Sequence, residues 1–409
     1  MLDLNQIRND FPMLKQTMQS HPLAYLDNAA TSLKPQQVID RITRYFMEEG
    51  ASVHRGDYDL SYQVSKEFEE TRDVVAAFIH AKPKEIVYTS GASASLNLVA
   101  FGYGMQVLQP GDVILANVAE HASNLLPWMK VAQATGAVIE YIDLDDQGRI
   151  TVENFQKKMN RHVKIVAIAH VSNVLGYKAP VKEICAIAHQ FGARVVVDGA
   201  QSVPHFAVDV QDLDCDFLAF SSHKMVGPSG VGILYGKYDL LQGMEPNAFG
   251  GGSNARFDMC GNILLKEAPF KFESGTPAIE GILGFQEAVK YLDHIGMEEV
   301  YRHEKELHDY AVAKLSKLNT IELYNPHADC GILTFNVKDV FSQDAATYLN
   351  SKGIAVRAGL HCAKILTNHL HVSATVRASL YLYNTKEEVD RLANACATAT
   401  PQTCLDVFF

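Results

Sequence analysis

Six short apolar runs between residues 85 and 235 constrain this chain more than anything else in it. EIVYTS (85–90), DVILANV (112–118), AVIEYID (137–143), KIVAIAHVS (164–172), RVVVDGA (194–200) and CDFLAFS (215–221) are rich in β-branched residues and nearly continuous in apolarity. A half-wet strand alternates apolar with polar, whereas an unbroken apolar strand is covered on both faces, the condition of a parallel sheet between helix layers. The intervening segments carry apolar residues at helical spacing, as in VKEICAIAHQFG (181–192) with its terminal glycine. The pattern predicts an open α/β sheet, and ligands of such sheets gather beyond the carboxyl ends of the strands.

Past residue 290 the pattern changes to long amphipathic stretches, such as 298–318 and 386–399, around the strand-like runs CGILTFNV and GIAVRAG. The length of 409 residues allows two domains. We read a large α/β domain over 22–290 and a smaller α+β domain built from 1–21 and 291–409. Between them lies a Gly-rich stretch, 250–277, read as irregular and functional.

Thirty-six basic against 47 acidic residues give a net charge of −11 with no dense basic run, which argues against nucleic acid as a partner. The start, MLDLNQIRNDFPML, lacks the basic patch and apolar core of a signal peptide. No apolar run reaches the ~18 residues of a membrane span. A cytoplasmic protein is expected. Seven cysteines, an odd number with no CxxC pair, do not make a disulfide framework, and most are expected to be small core residues.

The strand ends hold the chemistry. RVVVD delivers Asp198, which by itself reads equally as a helix cap. Lys224 follows 26 positions later, after the next strand, in FSSHKMVGPSGVGILYG. A lysine desolvated in a crevice loses its proton more easily and becomes a nucleophile for a carbonyl, although a surface or phosphate-binding lysine would look the same. Ser221, Ser222 and His223 flank it with anion donors. A third strand end leads through Gly91 and Ala92 to Ser93, where a helix start suits a phosphate. His121 and Asn173 follow two further strands.

Pyridoxal phosphate requires this set together: a lysine for its aldehyde, a carboxylate for its ring nitrogen, and donors for its phosphate. Here FSSHKMVGPSGVGILY with DGAQS upstream resembles the class V aminotransferase family of fold-type I pyridoxal-phosphate enzymes. VHRG (53–56), EHASN (120–124), HVSNVLG (170–176), FESGTP (272–277), RAGLHCA (357–363) and RASLYLYNT (377–385) are similar to the Suf-type cysteine desulfurases, also known as selenocysteine lyases. The likeness runs from YLDNAAT at 25 to the last helix.

The resemblance implies roles residue by residue. Lys224 would hold the cofactor, Asp198 pair with its ring nitrogen, Gln201 contact its phenolic oxygen, and His121 stack on its ring. Ser93, Ser221, His223 and the backbone near Ala92 would bind the phosphate, with Thr276 reaching across from the other subunit of a homodimer. Asn173 and Arg377 would hold the substrate carboxylate, with Arg357 nearby.

Lysine, aspartate and a phosphate cup identify a cofactor and leave the reaction open. In GIAVRAGLHCAKI, Cys362 is the only cysteine read in a loop after a strand, a glycine and a histidine, and Arg357 and His361 are placed to favour its thiolate. The resemblance implies that this thiol takes the sulfur of bound L-cysteine as a persulfide and leaves L-alanine. Lys224 would shuttle the α-proton, with His121 handling another. The short cysteine loop implies an acceptor protein of the Suf system, feeding iron–sulfur cluster assembly. A zinc site from His361, Cys362, His369 and His371 fits no standard spacing, and a metal would block the nucleophile. SGASA (90–94) stands where the family commonly shows RGTTE or RGTTA, and DYDLS follows VHRG in place of a His-containing segment. A selenocysteine lyase, another carbon–sulfur lyase and a noncatalytic sulfur-trafficking role are the rival readings.

Overall fold

The computed structural model describes residues 2–408. Its central sheet has seven strands: β1 (Ile86–Thr89), β2 (Val113–Asn117), β3 (Val138–Ile142), β4 (Val163–Ala169), β5 (Arg194–Asp198), β6 (Phe217–Ser221) and β7 (Gly232–Gly236). Their spatial order is β1-β7-β6-β5-β4-β2-β3. The neighbours from β6 through β3 pair in parallel, with Val196 opposite Phe217 and Asp198 opposite Ala219. All six runs singled out in the sequence are strands.

One strand was not expected. GILYG, which follows the Lys224 turn, lies antiparallel between β6 and β1, so the sheet is mainly parallel with one reversed strand. Gly232 makes that insertion feasible: a Cβ there would stand 2.3 Å from the Gly91 Cα. With β7 reversed, β1 still points the same way as β6, so its carboxyl end joins the others. Strands β2, β6 and β7 are buried along their whole length, whereas β3, at the sheet edge with a single neighbouring strand, is largely part-exposed.

Four C-terminal strands, β8 (Ile321–Leu323), β9 (Ile332–Val337), β10 (Arg357–Gly359) and β11 (Thr375–Ser379), form an antiparallel sheet in the order β8-β9-β11-β10. It packs on helices Met297–Leu315 and Lys386–Thr398 through Leu307, Ala311, Phe335, Val376, Val389 and Leu392. The second helix begins at a capping box, Thr385 with Glu388, which satisfies two otherwise orphaned amides. Near the N-terminus, Ile7 and Phe11 enter the core of the large sheet, where the Phe11 ring lies 4.6 Å from that of Tyr383.

The stretch 250–277 is less irregular than its composition predicts. It contains a hairpin, Asn254–Phe257 paired with Ile263–Leu265, and Cys260 is exposed in its turn. Cys260 and Cys362 are the two exposed cysteines, and the other five are buried. Among the described residues, no helix is long and apolar enough to cross a membrane.

Candidate active site

The carboxyl ends of β1, β2, β4, β5 and β6 open onto one cavity of about 180 Å³, which the end of the edge strand β3 does not reach. Its walls include Ala92, Ser93, His121, Asn173, Asp198, Gln201, Ser221, His223, Lys224, Arg357 and Arg377. Residues up to 348 positions apart in sequence, from Ala29 to Arg377, are thus brought to one place. Thr276 is not among them: it is exposed and lines a separate groove with His54 and Arg55. Its segment is held rigidly, because the Arg72 guanidinium grips Glu273 with two bonds of 2.8 and 2.9 Å.

Lys224 opens into the cavity, so its amine keeps some contact with solvent while protein surrounds it. Burial lowers its pKa to about 8; Asp198 works against this shift, and Arg377 and Arg357 reinforce it. Asp198 accepts one hydrogen bond, from Ala200 N at 3.0 Å. It caps no helix. Burial raises its pKa, with the charge on Lys224 opposing. A buried carboxylate this sparsely satisfied is suited to a cationic partner.

The phosphate-side groups are equally defined. The amide of Ala92 donates to Ser221 Oγ at 2.8 Å, which leaves the Ser221 hydroxyl proton for another acceptor. Ser93 Oγ and Ser123 Oγ are 2.6 Å apart. The Ser123 amide donates to His121 Nδ1 at 3.1 Å, so a neutral His121 carries its proton on Nε2. It is neutral over the physiological range, because burial, then Lys224, pull its pKa down to about 4. Burial and the charge of Lys224 likewise lower His223 to about 4.

The substrate-side groups are partly committed to one another. Arg377 donates from Nη1 to the Asn173 carbonyl at 2.9 Å and from Nη2 to Asp27 Oδ1 at 3.2 Å, and its buried Nε has no partner. Asn173 spends an amide hydrogen on the His361 carbonyl at 2.8 Å. Gln201 donates to the Ala29 carbonyl at 2.8 Å and faces His205 with its oxygen, and His205 in turn meets the buried Glu304 at 2.9 Å.

Cys362 is not among the cavity's wall residues but lies beside one of them, Arg357. Both it (φ 58) and His361 (φ 48) occupy the left-handed region, an unfavourable state for side-chain-bearing residues unless the surroundings fix it. Three contacts do so: Asn173 holds the His361 carbonyl, Ala122 N donates to the Cys362 carbonyl at 2.8 Å, and the His361 ring faces Thr375 at 3.0 Å. Cys362 is thereby turned outward, exposed, with Arg357 Nη2 3.7 Å from its sulfur. His361 does not share in stabilising a thiolate, as its sequence position suggested. Burial lowers its pKa to about 3, so it is neutral, and Arg357 is the positive charge beside Cys362.

Sequence reasoning overlooked two sets of residues. Asp27, Ala29 and Ala30, from YLDNAAT, hold or line the site. Glu120 accepts from Ala169 N (2.9 Å), Asn124 Nδ2 (2.7 Å) and Asn117 Nδ2, stitching β2 to β4 under His121. Burial raises its pKa to about 8. Both sets sit in the motifs YLDNAAT and EHASN, but short polar runs do not say which member turns inward.

Residues 24–392 match the family described as aminotransferase class-V. The chain is 48% identical over 395 residues to a probable cysteine desulfurase of Halalkalibacterium halodurans, covering 96% of this chain and 97% of the other. Its fold superposes on the cysteine desulfurase CsdA of Escherichia coli, solved in an S-sulfonic acid form, with a TM-score of 0.91, 36% identity and 99% of both chains covered. It also superposes on the apo cysteine desulfurase of Thermococcus onnurineus NA1, with a TM-score of 0.92, 38% identity, and 97% of this chain and 98% of that one covered.

Proposed function

The chain belongs to the class-V aminotransferase family, and we propose that Lys224 and Cys362 together carry its chemistry. The protein is a pyridoxal-phosphate-dependent cysteine desulfurase, which takes sulfur from L-cysteine and leaves L-alanine. The observation that carries the residue assignment is the convergence of a lysine whose pKa burial lowers, a buried carboxylate and a buried unpaired guanidinium nitrogen on one cavity, with an exposed thiol beside Arg357 of its wall.

These residues fit the cofactor. Asp198 would meet a protonated ring nitrogen, Gln201 the phenolic oxygen, and His121 the ring face. The hydroxyls of Ser93 and Ser221, the His223 ring and the amides that open helix Ala92–Val99 would hold the phosphate. When bound, the cofactor withdraws electrons and makes the amino acid's α-proton and carbon–sulfur bond labile.

The chain's own groups do the rest. Arg377, through Nε, receives the substrate carboxylate with Asn173 beside it. The Lys224 amine takes the α-proton and returns a proton to carbon. The Cys362 thiolate, favoured by Arg357, attacks the substrate sulfur: the new sulfur–sulfur bond forms as the carbon–sulfur bond breaks, its electron pair leaves with carbon, and a proton replaces sulfur there. His121, protonated at Nε2 when neutral, is placed to supply or accept a further proton.

The protein works as a homodimer. Thr276 lines a groove separate from its own chain's cavity, and Phe46, Met47, Phe257 and Met259 are exposed, which supports a second copy covering them and lending Thr276 to the phosphate. The persulfide passes to an acceptor protein of the Suf system in the cytoplasm for iron–sulfur cluster assembly, a reading supported by the short, pinned loop around Cys362. The test is alanine formation from L-cysteine by the holoenzyme and by Lys224→Ala. The variant is expected to lose turnover; retained turnover contradicts the assignment.

A further inference from the structure

Residues 27–34 touch both the substrate-side groups and the lysine turn of the cavity. Asp27 holds Arg377, the Ala29 carbonyl holds Gln201, and the last four residues, Thr31 to Lys34, close on the lysine turn. The carbonyl oxygen of His223 accepts from Ser32 N (3.0 Å), Thr31 Oγ1 (3.0 Å), Ser32 Oγ (3.1 Å) and Lys34 Nζ (3.0 Å). A carbonyl has two lone pairs, so four donors on one oxygen is heavy coverage. On the other side of Lys224, the Val226 amide donates to Ser32 Oγ at 2.8 Å. Val226 sits at φ 51, a region that a β-branched residue occupies only under constraint. The same short segment therefore grips the lysine turn before and after Lys224.

Lys34 is the charged member of this grip. Its ammonium also meets Thr31 Oγ1 at 3.2 Å and the Ser32 carbonyl. Among the described residues no carboxylate forms an ion pair with it. A charged donor is the strongest kind available to the His223 carbonyl. The segment's other end is tied to the small sheet, where Asn28 Nδ2 donates to the Ser379 carbonyl at 2.7 Å and Ala29 N to Ser379 Oγ at 2.9 Å. Ser379 lies two residues beyond Arg377 on β11.

We propose that Lys34 is a positioning residue, whose ammonium, with Thr31 and Ser32, fixes the turn that aims the Lys224 amine and the His223 ring into the cofactor cavity. Without it the constraint on Val226 relaxes, and the amine and ring lose their shared register. The inference rests on Lys224 being the cofactor lysine, and the experiment separates the two claims.

The experiment measures the pyridoxal phosphate dissociation constant and the visible circular dichroism per bound cofactor for wild type, Lys34→Met, Ser32→Ala and the control Arg149→Met. The control breaks a 2.7 Å ion pair to Asp329 remote from the turn. A wild type with no visible cofactor band overturns the cofactor reading itself. Given that band, Lys34→Met is expected to weaken cofactor binding roughly tenfold or more and to reduce the visible dichroism, with Arg149→Met unchanged in both. Lys34→Met binding as tightly as wild type with the same dichroism overturns the inference, as does an equal loss in Arg149→Met. Should Lys34→Met not fold, Ser32→Ala decides: the same two losses are expected, and their absence overturns the inference.

Discussion

The side-chain amide of Asn173 donates to the carbonyl of His361 at 2.8 Å, and this bond ties the end of a large-sheet strand to the loop that carries Cys362. It also holds His361 and Cys362 in their left-handed backbone state, which neither residue favours. The direction of the thiol thus depends on a residue 189 positions away.

Asn173→Ala releases that carbonyl and lets the loop relax. Misplacing a reacting group by about an ångström costs roughly 10²-fold in rate. Alanine formation from L-cysteine is expected to fall by about that factor while the cofactor's visible band persists. A variant with wild-type turnover contradicts the role given to this bond.

The state of Lys224 sets a pH dependence. Its pKa is lowered to about 8, chiefly by burial, and only the neutral amine attacks the cofactor aldehyde. Below that pH the amine is mostly protonated and attachment is slow; above it the neutral form dominates. The rate at which apoprotein takes up pyridoxal phosphate is expected to climb as pH rises through about 8 and then level off. A rate still climbing toward the range of ordinary lysines contradicts the buried setting.

Glu304 and His205 form a buried pair, 2.9 Å apart, behind Gln201. Removing one partner leaves the other's polar atom unsatisfied in a dry core, which costs about 1–3 kcal/mol. Denaturant unfolding of Glu304→Ala is expected to show a loss of that size, with Glu304→Gln less affected because it retains an acceptor. A change within measurement error in the alanine variant contradicts the pairing.

Arg377→Lys keeps a charge and forfeits the planar fork that Asp27 and the Asn173 carbonyl hold in place. The KM for L-cysteine is expected to rise roughly tenfold or more, with a smaller effect on kcat. An unchanged KM places the substrate carboxylate elsewhere.

Much of the site was legible because strand ends in an α/β sheet are predictable places. Asp198, Lys224, His121 and Asn173 each follow an apolar run that is in fact a strand. What stayed hidden depends on contacts distant in sequence. GILYG is too short, and too close to a glycine-rich turn, to announce that it inserts antiparallel beside β6. The hairpin around Cys260 lies in a stretch whose glycines read as irregular. Nothing local in TSLK says that its hydroxyls and ammonium close on a carbonyl almost two hundred residues away. His361, adjacent to the thiol in sequence, was credited with a charge that burial removes.

Sulfur transfer to Cys362 is tested most directly by incubating the holoenzyme anaerobically with L-cysteine and mapping, by peptide mass, where the added sulfur resides. The account predicts one extra sulfur atom on the peptide containing Cys362, formed together with alanine. Alanine released with that peptide unmodified, or sulfur found on Cys260 instead, contradicts it.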